Sequence, residues 1–410
     1  MRILYNFSIL VYSFFINVAG LLGNKKAALW ISGRKNWIEN LATINREGKN
    51  ITWFHVASLG EFEQARPLIE QIKKVEPEEF ILVSFFSPSG YEIRRDYELA
   101  DKVIYLPGDT SKNAKTFLKL ARPHRIIFVK YEFWFNYLNQ IKLQNIKCYL
   151  ICGIFRKKQH FFTPYGGWFK KHLTAFNHFF VQNDESLRLL NSIGFKNASK
   201  TGDTRIDRVL SISEEPFSEE RFESFSKNSR VLVFGSSWEK ENELAVSFSN
   251  SNLYAKIIIA PHEIDSDKIK SLKERFTLSC KLLSETTKDE DLDSLNVLII
   301  DEIGLLSRLY RYGNIAFIGG GFGSGIHNTL EAVIYGCPVL FGPNYSKFQE
   351  AYDLLEIGAG FCVQNQQEFH ARMGFLNDES NYQNAKTNAK SYINDNAGAT
   401  GKILDYIYQK

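Results

Sequence analysis

Cysteine is scarce: five residues, at 148, 152, 280, 337 and 362, are scattered over 410 positions. They form no CxxC pair and no Cys/His ligand spacing, which excludes a zinc module and a disulfide framework and fits a reducing compartment. An excess of one charge is missing too, since 50 Lys+Arg stand against 46 Asp+Glu for a formal +4. That balance excludes a broad nucleic-acid-binding surface, so any basic patch must be local. No repeat or low-complexity tract interrupts the chain, and 44% hydrophobic with 23% charged residues excludes a disordered or collagen-like polymer. Aromatics, by contrast, are abundant at 14%, led by 33 Phe, enough for large cores or for surfaces that meet apolar partners. At roughly 150 residues per domain the length predicts two to three domains.

One long apolar run is present. Residues 3–22, ILYNFSILVYSFFINVAGLL, carry no charge, and as a helix they would span about 30 Å, the thickness of a bilayer's hydrocarbon core. Asn6 and Asn17 would need hydrogen-bond partners there. No small-residue cleavage pattern follows Leu22, so the run reads as an uncleaved anchor, spanning or partly inserted, within residues 1–30. The alternative is a helix packed on the protein's own surface. Lys25, Lys26, Arg34 and Lys35 follow the run and only Arg2 precedes it, which places the rest of the chain in the cytoplasm.

Beyond residue 50, short β-branched runs alternate with amphipathic helical patterns. Strands are predicted at 51–56, 80–85, 102–106, 125–130, 147–152 and 178–182, then at 230–236, 255–261, 296–301, 314–320 and 337–342. The polar stretch 211–229, SISEEPFSEERFESFSKNS, reads as a linker with one short helix. Two successive strand–helix arrays predict an α/β protein of two Rossmann-like, doubly wound domains, 31–210 and 230–385. Residues 386–410 read as a C-terminal helix that packs back on the N-terminal domain. Two such domains facing one another would leave a cleft at the carboxyl ends of their strands, where open α/β sheets bind ligands.

In NIAFIGGGFGSGIHNTLEAVIYGCPVLFGP (314–343) a strand runs into Gly319, Gly320 and Gly321, then Gly323, Ser324 and Gly325. Residues without Cβ let backbone N–H groups approach an anion, and a helix starting near His327 would add partial positive charge. The spacing matches neither GxGxxG nor a Walker loop. His327 and Glu331, four apart, are expected on one helix face; the carboxylate would suit a ribose diol, and the imidazole a phosphate or base. A plain tight turn and a solvated glutamate would give the same pattern.

In ITWFHVASLGEFEQARPLIEQIKK a buried strand ends near Val56, Ala57–Gly60 turn, and Glu61 opens a helix. The helix-end dipole would favour the ionised carboxylate that a general base needs. Glutamate is also common in a first turn for stability alone, and Glu63 is an alternative acid. After the next strand, Ser87, Ser89 and Gly90 could expose amides and hydroxyls, and Glu132 follows a further strand edge. Segment 153–173 interleaves Arg156, Lys157, Lys158, Lys170 and Lys171 with aromatics, a surface suited to an anionic amphiphile at a bilayer. An ordinary solvated helix would read the same way.

Taken in order, HVASLGEFEQARPLI, SFFSPSGYE, VKYEFWFN, TGDTRIDRV, GSSWEKENE and GGGFGSGIHNTLEA resemble the Kdo (3-deoxy-D-manno-octulosonic acid) transferases of lipopolysaccharide assembly, over nearly the whole chain. The resemblance implies a GT-B fold whose two domains face a central cleft, the first taking the acceptor and the second CMP-Kdo. It implies Glu61 as catalytic base, with Ser58, Gly60, Ser87, Ser89 and Glu132 around the acceptor. CMP would be held by Pro261, His262, Gly320, Gly321, Ser324, His327, Asn328 and Glu331. The implied reaction carries Kdo from CMP-Kdo to a lipid A precursor (lipid IVA) with inversion, at the cytoplasmic face of the inner membrane, with no cofactor and no metal. Asp291-Leu-Asp293 resembles a metal-binding DxD but lies in the acidic run TKDEDLDSL, read as a solvated loop.

Three departures bear on the donor site. The family's Pro-Arg-His is Pro261-His262 here, without the arginine; its Asp-Thr-x-Gly-Glu-Leu is Asp301-Glu302-Ile303-Gly304-Leu305-Leu306; and Ile326 stands where a second glycine often precedes the histidine. The alternatives are another GT-B transferase using a UDP-sugar and a lipid acceptor, or a UDP-sugar 2-epimerase.

Overall fold

The β-branched and aromatic runs form strands buried on both faces, as a parallel sheet covered by helices on each side requires. The structure, a computed structural model, describes residues 1–44, 48–252 and 255–408. It divides into two units: Met1–Asp207 with Ala397–Lys410, and Arg208–Asn396.

The first unit holds a seven-stranded sheet whose spatial order is Lys102–Tyr105, Phe80–Phe85, Ile51–Val56, Arg125–Val129, Lys147–Gly153, His178–Val181 and Ala198–Lys200. All its pairings are parallel. Successive side chains of a strand point to opposite faces, so Trp53 joins one core with Leu82, Phe117 and Phe128, while Phe54 joins the other with Phe62, Val83 and Ile127. Ile403 and Ile407, from the helix Ala399–Tyr408, fill the second of these cores. Asp207 accepts from the N–H groups of Gly398 and Thr400, both at 2.6 Å, at the start of that helix. The expected single helix over 386–410 is therefore two: Glu379–Asn396 in one unit and Ala399–Tyr408 in the other, separated at Gly398, whose φ of +87° breaks helical geometry.

The apolar amino terminus is one helix, Arg2–Leu21, with no buried residue. Ile3, Leu4, Phe7, Leu10, Phe14 and Phe15 are exposed. Its other side is tied down: Tyr5 donates to Asp109 (2.5 Å) and Asn6 accepts from Asn136 (2.9 Å). Asn17 donates to Ser13 O at 2.7 Å, so both asparagines of the apolar run have partners.

The second unit repeats the plan, in the order Cys280–Leu282, Val297–Ile299, Lys256–Pro261, Val231–Ser237, Ile315–Ile318, Val339–Phe341 and Gly360–Cys362. Within 211–229, read above as a linker with one short helix, the helices Thr204–Glu214 and Glu220–Ser226 occupy much of the segment. Phe222 and Phe225, three apart on one face, are buried, and Arg311 donates to the carbonyls of Ser213, Glu215 and Phe217. The surrounding acidic and serine residues hid that apolar face.

Both sheets reverse their winding beside the first strand of the unit, between Ile51–Val56 and Arg125–Val129 and between Val231–Ser237 and Ile315–Ile318. Such a switch point is where an open α/β sheet has room for ligands, just outside the carboxyl ends of its strands.

Candidate active site

At the first switch point the strand Ile51–Val56 leads through Ala57 and Ser58 into the helix Leu59–Val75, capped by Ser58. Glu61 sits at the third helical position, and its Oε2 accepts from the N–H of Ala57 (2.6 Å) and of Ser58 (3.0 Å) and from Ser58 Oγ (3.4 Å). This is a capping box. A glutamate that only caps is held ionised by such bonds. Here burial, reinforced by repulsion from Glu132, pushes the Glu61 carboxyl up to about 7, against the two N–H bonds and Lys130. Desolvation and a second carboxylate thus act against the helix-end dipole, which by itself favours the ionised form.

Glu132 follows the strand Arg125–Val129 and is buried. Its Oε2 lies 2.9 Å from His55 Nε2 and accepts from Trp134 Nε1 at 2.6 Å. His55 Nδ1 is held by Ser84, 3.1 Å from the carbonyl and 2.9 Å from Oγ. Between strand and glutamate, Lys130 has φ +63°, a left-handed backbone that costs about 1 kcal/mol or more in a non-glycine residue and is typical of functional turns. The Ser87 N–H donates to Ala57 O at 2.8 Å, and the Ser87 and Ser89 hydroxyls are 2.9 Å apart. Gly90 is required by close approach, because a Cβ there would meet Leu59 N at 2.9 Å. A Cβ at Gly60 meets nothing within 4 Å, so space lies open beside the turn. Ser58, Gly60, Glu61, Ser87, Ser89 and Glu132 thus share one carboxyl edge of the first sheet.

At the second switch point a parallel construction recurs. The strand Val231–Ser237 leads through Trp238 into the helix Glu239–Ser251, with Glu241 at its third position. Glu241 is 1% exposed; Oε2 accepts from the Trp238 N–H (3.1 Å) and Oε1 from the Gly320 N–H (2.9 Å). The glycines are needed for packing: a Cβ at Gly319 would lie 2.0 Å from Ser236 O, and one at Gly321 2.5 Å from Gly342 N, while Gly320 has φ +87°. The N–H groups of Gly319, Gly320, Gly323, Gly325 and His327 are all bonded within the protein. An anion would have to use other donors of this loop.

The helix behind the loop starts later than expected. It covers only Leu330–Val333, so His327 lies in the loop, and the predicted pairing of His327 with Glu331 on one helix face does not form. The loop chain returns to the sheet instead, with the His327 N–H on Gly319 O at 3.0 Å. A helix this short carries little macrodipole, since the effect sums over aligned peptides. Asn328 donates to Glu331 Oε1 at 3.0 Å, and Ser324 is exposed. Trp238, His262 and His327 form a stack, with ring centroids 4.6 Å and 4.4 Å apart. Trp238 Nε1 donates to His327 Nε2 at 3.2 Å. Indole nitrogen only donates, so the His327 proton sits on Nδ1. Burial, then His262, pulls the His327 pKa down to about 4, which makes it a neutral ligand at physiological pH. Pro261 ends the adjoining strand, next to His262.

Sequence reasoning missed His55, Lys130 and Trp134 in the first unit, and Trp238 and Glu241 in the second. Glu241 had a signal: GSSWEKE repeats the strand–turn–helix with a third-position glutamate seen in HVASLGE. The acids of TGDTRIDRV are structural, since Asp203 pairs with Arg205 at 2.7 Å and Asp207 caps Ala399–Tyr408. Asp291 and Asp293 lie on a loop where Asp293 accepts from Asn228.

Residues 35–208 match a family model described as 3-deoxy-D-manno-octulosonic-acid transferase (kdotransferase). The 3-deoxy-D-manno-octulosonic acid transferase of Aquifex aeolicus is 28% identical over 333 residues, 79% of this chain and 85% of that protein. The protein of the same name from Rickettsia prowazekii is 28% identical over 382 residues, 88% of this chain and 79% of its own length. Among solved structures, the UDP-GlcNAc 2-epimerase of Neisseria meningitidis bound to UDP-GlcNAc superposes with a TM-score of 0.61 at 15% identity, over 88% of this chain and 100% of that one. At that identity the likeness shows the fold, which is GT-B.

Proposed function

Because this chain belongs to the Kdo transferases, a family of glycosyltransferases, we propose that it moves Kdo from CMP-Kdo to a hydroxyl of a lipid A precursor, lipid IVA, with inversion, in lipopolysaccharide assembly. The observation that carries this reading is Glu61: a carboxyl at a sheet's switch point, held by the Ala57 and Ser58 N–H groups and titrating at about 7. A base with that pKa is ionised in good part at neutral pH and still basic enough to take a proton in the transition state.

The bonds from Ala57 and Ser58 converge on Oε2, so Oε1 takes the proton of the attacking hydroxyl. The hydroxyl oxygen bonds to the anomeric carbon, and the bond from that carbon to the CMP phosphate oxygen breaks with its electron pair on phosphate. Glu132, fixed by His55 and Trp134, keeps the Glu61 pKa high and shapes the acceptor side together with Ser58, Gly60, Ser87 and Ser89. In the second unit the stacked His262 and Trp238 offer a flat face to the cytosine. Pro261, Gly320, Gly321, Ser324 and His327 frame the nucleotide, and Glu331, oriented by Asn328, accepts from the ribose. The exposed apolar side of Arg2–Leu21 and the basic residues after it support attachment to the inner membrane, with both units on the cytoplasmic face.

The test incubates the full-length protein with CMP-Kdo and lipid IVA and weighs the products. A mass gain of Kdo that disappears in Glu61→Gln is the expected result. Consumption of a UDP-sugar instead, or its isomerisation without an acceptor, would replace this reading.

A further inference from the structure

The amino-terminal helix does not pack flush on the first unit. Between it and the loops of the sheet lies a cavity of about 440 Å³, lined by Ile9, Tyr12, Trp30, Phe86 and Trp134 beside Asp109. That volume falls within the roughly 300–1,000 Å³ of small-ligand sites. The rings of Tyr12, Trp30 and Phe86 stand 6.0–6.2 Å apart, and Phe86 lies 4.7 Å from Trp134.

The two charged groups beside this cavity are already engaged. Asp109 is bonded to Tyr5 and to the N–H groups of Asn136 and Tyr137. Arg34, whose guanidinium lies 3.9 Å from the Trp30 ring centroid, donates to the carbonyls of Leu106, Trp30 and Phe86. The Trp30 indole N–H is buried without a hydrogen-bond partner among the described residues. Walls that are mostly aromatic and aliphatic suit a hydrocarbon chain.

Two continuities identify which chain. Ile9 and Tyr12 belong to the bilayer-length helix that exposes Phe7, Leu10 and Phe14. At the other wall, Trp134 donates to Glu132, the carboxylate that raises the Glu61 pKa, and Phe86 adjoins Ser87. The cavity therefore opens beside a lipid-facing helix and ends on Trp134, one hydrogen bond from Glu132. We propose that it holds one acyl chain of the lipid acceptor, so that the headgroup is held at the Trp134 end, on the side of Glu132 and Glu61. This rests on the reading of the protein as a transferase acting on a glycolipid.

The experiment compares kcat/KM for the acylated acceptor with that for its deacylated counterpart. Ile9→Trp, which fills the cavity from the helix side, is expected to lower that ratio at least fivefold. An unchanged ratio in a variant whose melting temperature matches the parent overturns the proposal. Independently of any variant, an acceptor carrying a diazirine in one acyl chain is photolysed with the unmodified protein. Cross-links on peptides containing Trp30, Phe86 or Trp134 support the site, and labelling confined to other residues overturns it. Equal labelling of these peptides by a diazirine phosphatidylethanolamine at the same concentration also overturns it, because bulk lipid would then be the occupant. Should the unmodified protein transfer Kdo to neither acceptor, the functional reading falls, while the cross-linking result still decides whether the cavity takes acyl chains.

Discussion

Glu61 serves two ends that oppose each other. As a helix cap it gains from being ionised, whereas burial beside Glu132 resists ionisation and lifts its pKa to about 7. For the reaction, kcat/KM should rise with pH through about 7 as the base loses its proton; a flat profile between about pH 5.5 and 8.5 would remove Glu61 from that role. For stability the sign is reversed. A carboxyl whose folded pKa exceeds its unfolded value of about 4.3 favours the folded state when protonated, and the folded state loses ground as pH rises from there to about 7. Glu61→Gln, which retains an acceptor for the two N–H groups, should therefore be inactive yet more stable than the parent by about 1–2 kcal/mol at pH 8, after discounting for partial exposure, with the gain gone near pH 4. Urea titrations at the two pH values check this; a variant weaker at both contradicts it. Glu241 differs in being a fully committed structural acid. Glu241→Ala would strand the buried Gly320 N–H at a cost of about 1–3 kcal/mol, and tenfold weaker CMP binding by calorimetry is the expected readout. The position of Glu61 was legible because a strand, a small-residue turn and an amphipathic helix surround it in sequence. Its titration was not, because Glu132 arrives only through the order of the strands.

Among the elements, the long β-branched runs announced themselves: ITWFHV, FILVSF and RIIFVK became inner strands buried on both faces. Ala198–Lys200, Cys280–Leu282 and Gly360–Cys362 went unread. Each lies at the edge of a sheet, where one neighbour supplies the pairing and three residues leave no periodicity to detect. The helix after the glycine loop was misplaced for a related reason. Its start depends on where the Gly319–Gly325 turn closes, and that is fixed by Glu241 and by the contacts of Gly319 and Gly321 rather than by local propensity. The helix Ala399–Tyr408 offers a quantitative test of element packing. Ile403 is fully buried among Phe54, Leu68 and Ile127, so Ile403→Ala should destabilise the first unit by about 2–4 kcal/mol. Denaturant unfolding followed by a probe in that unit measures it.

At the level of the whole molecule, two strand–helix arrays in sequence became two separately cored α/β units. If CMP binds only the second, a scanning calorimeter should resolve its effect on that unit. At a CMP concentration 100-fold above Kd, linkage contributes about 2.7 kcal/mol, which is about 5–10 °C for a unit of this size. A shift confined to the transition of Met1–Asp207 would reverse the assignment of donor and acceptor sides. The placement of Ile403 and Ile407 has a consequence for biogenesis. When the ribosome has finished the first sheet, one of its two cores still lacks a wall, and that wall is not translated until Arg208–Asn396 has been made. The nascent first unit must wait, partly unsealed, for its closing piece, and a premature stop codon late in the message would cripple the half of the enzyme encoded earliest.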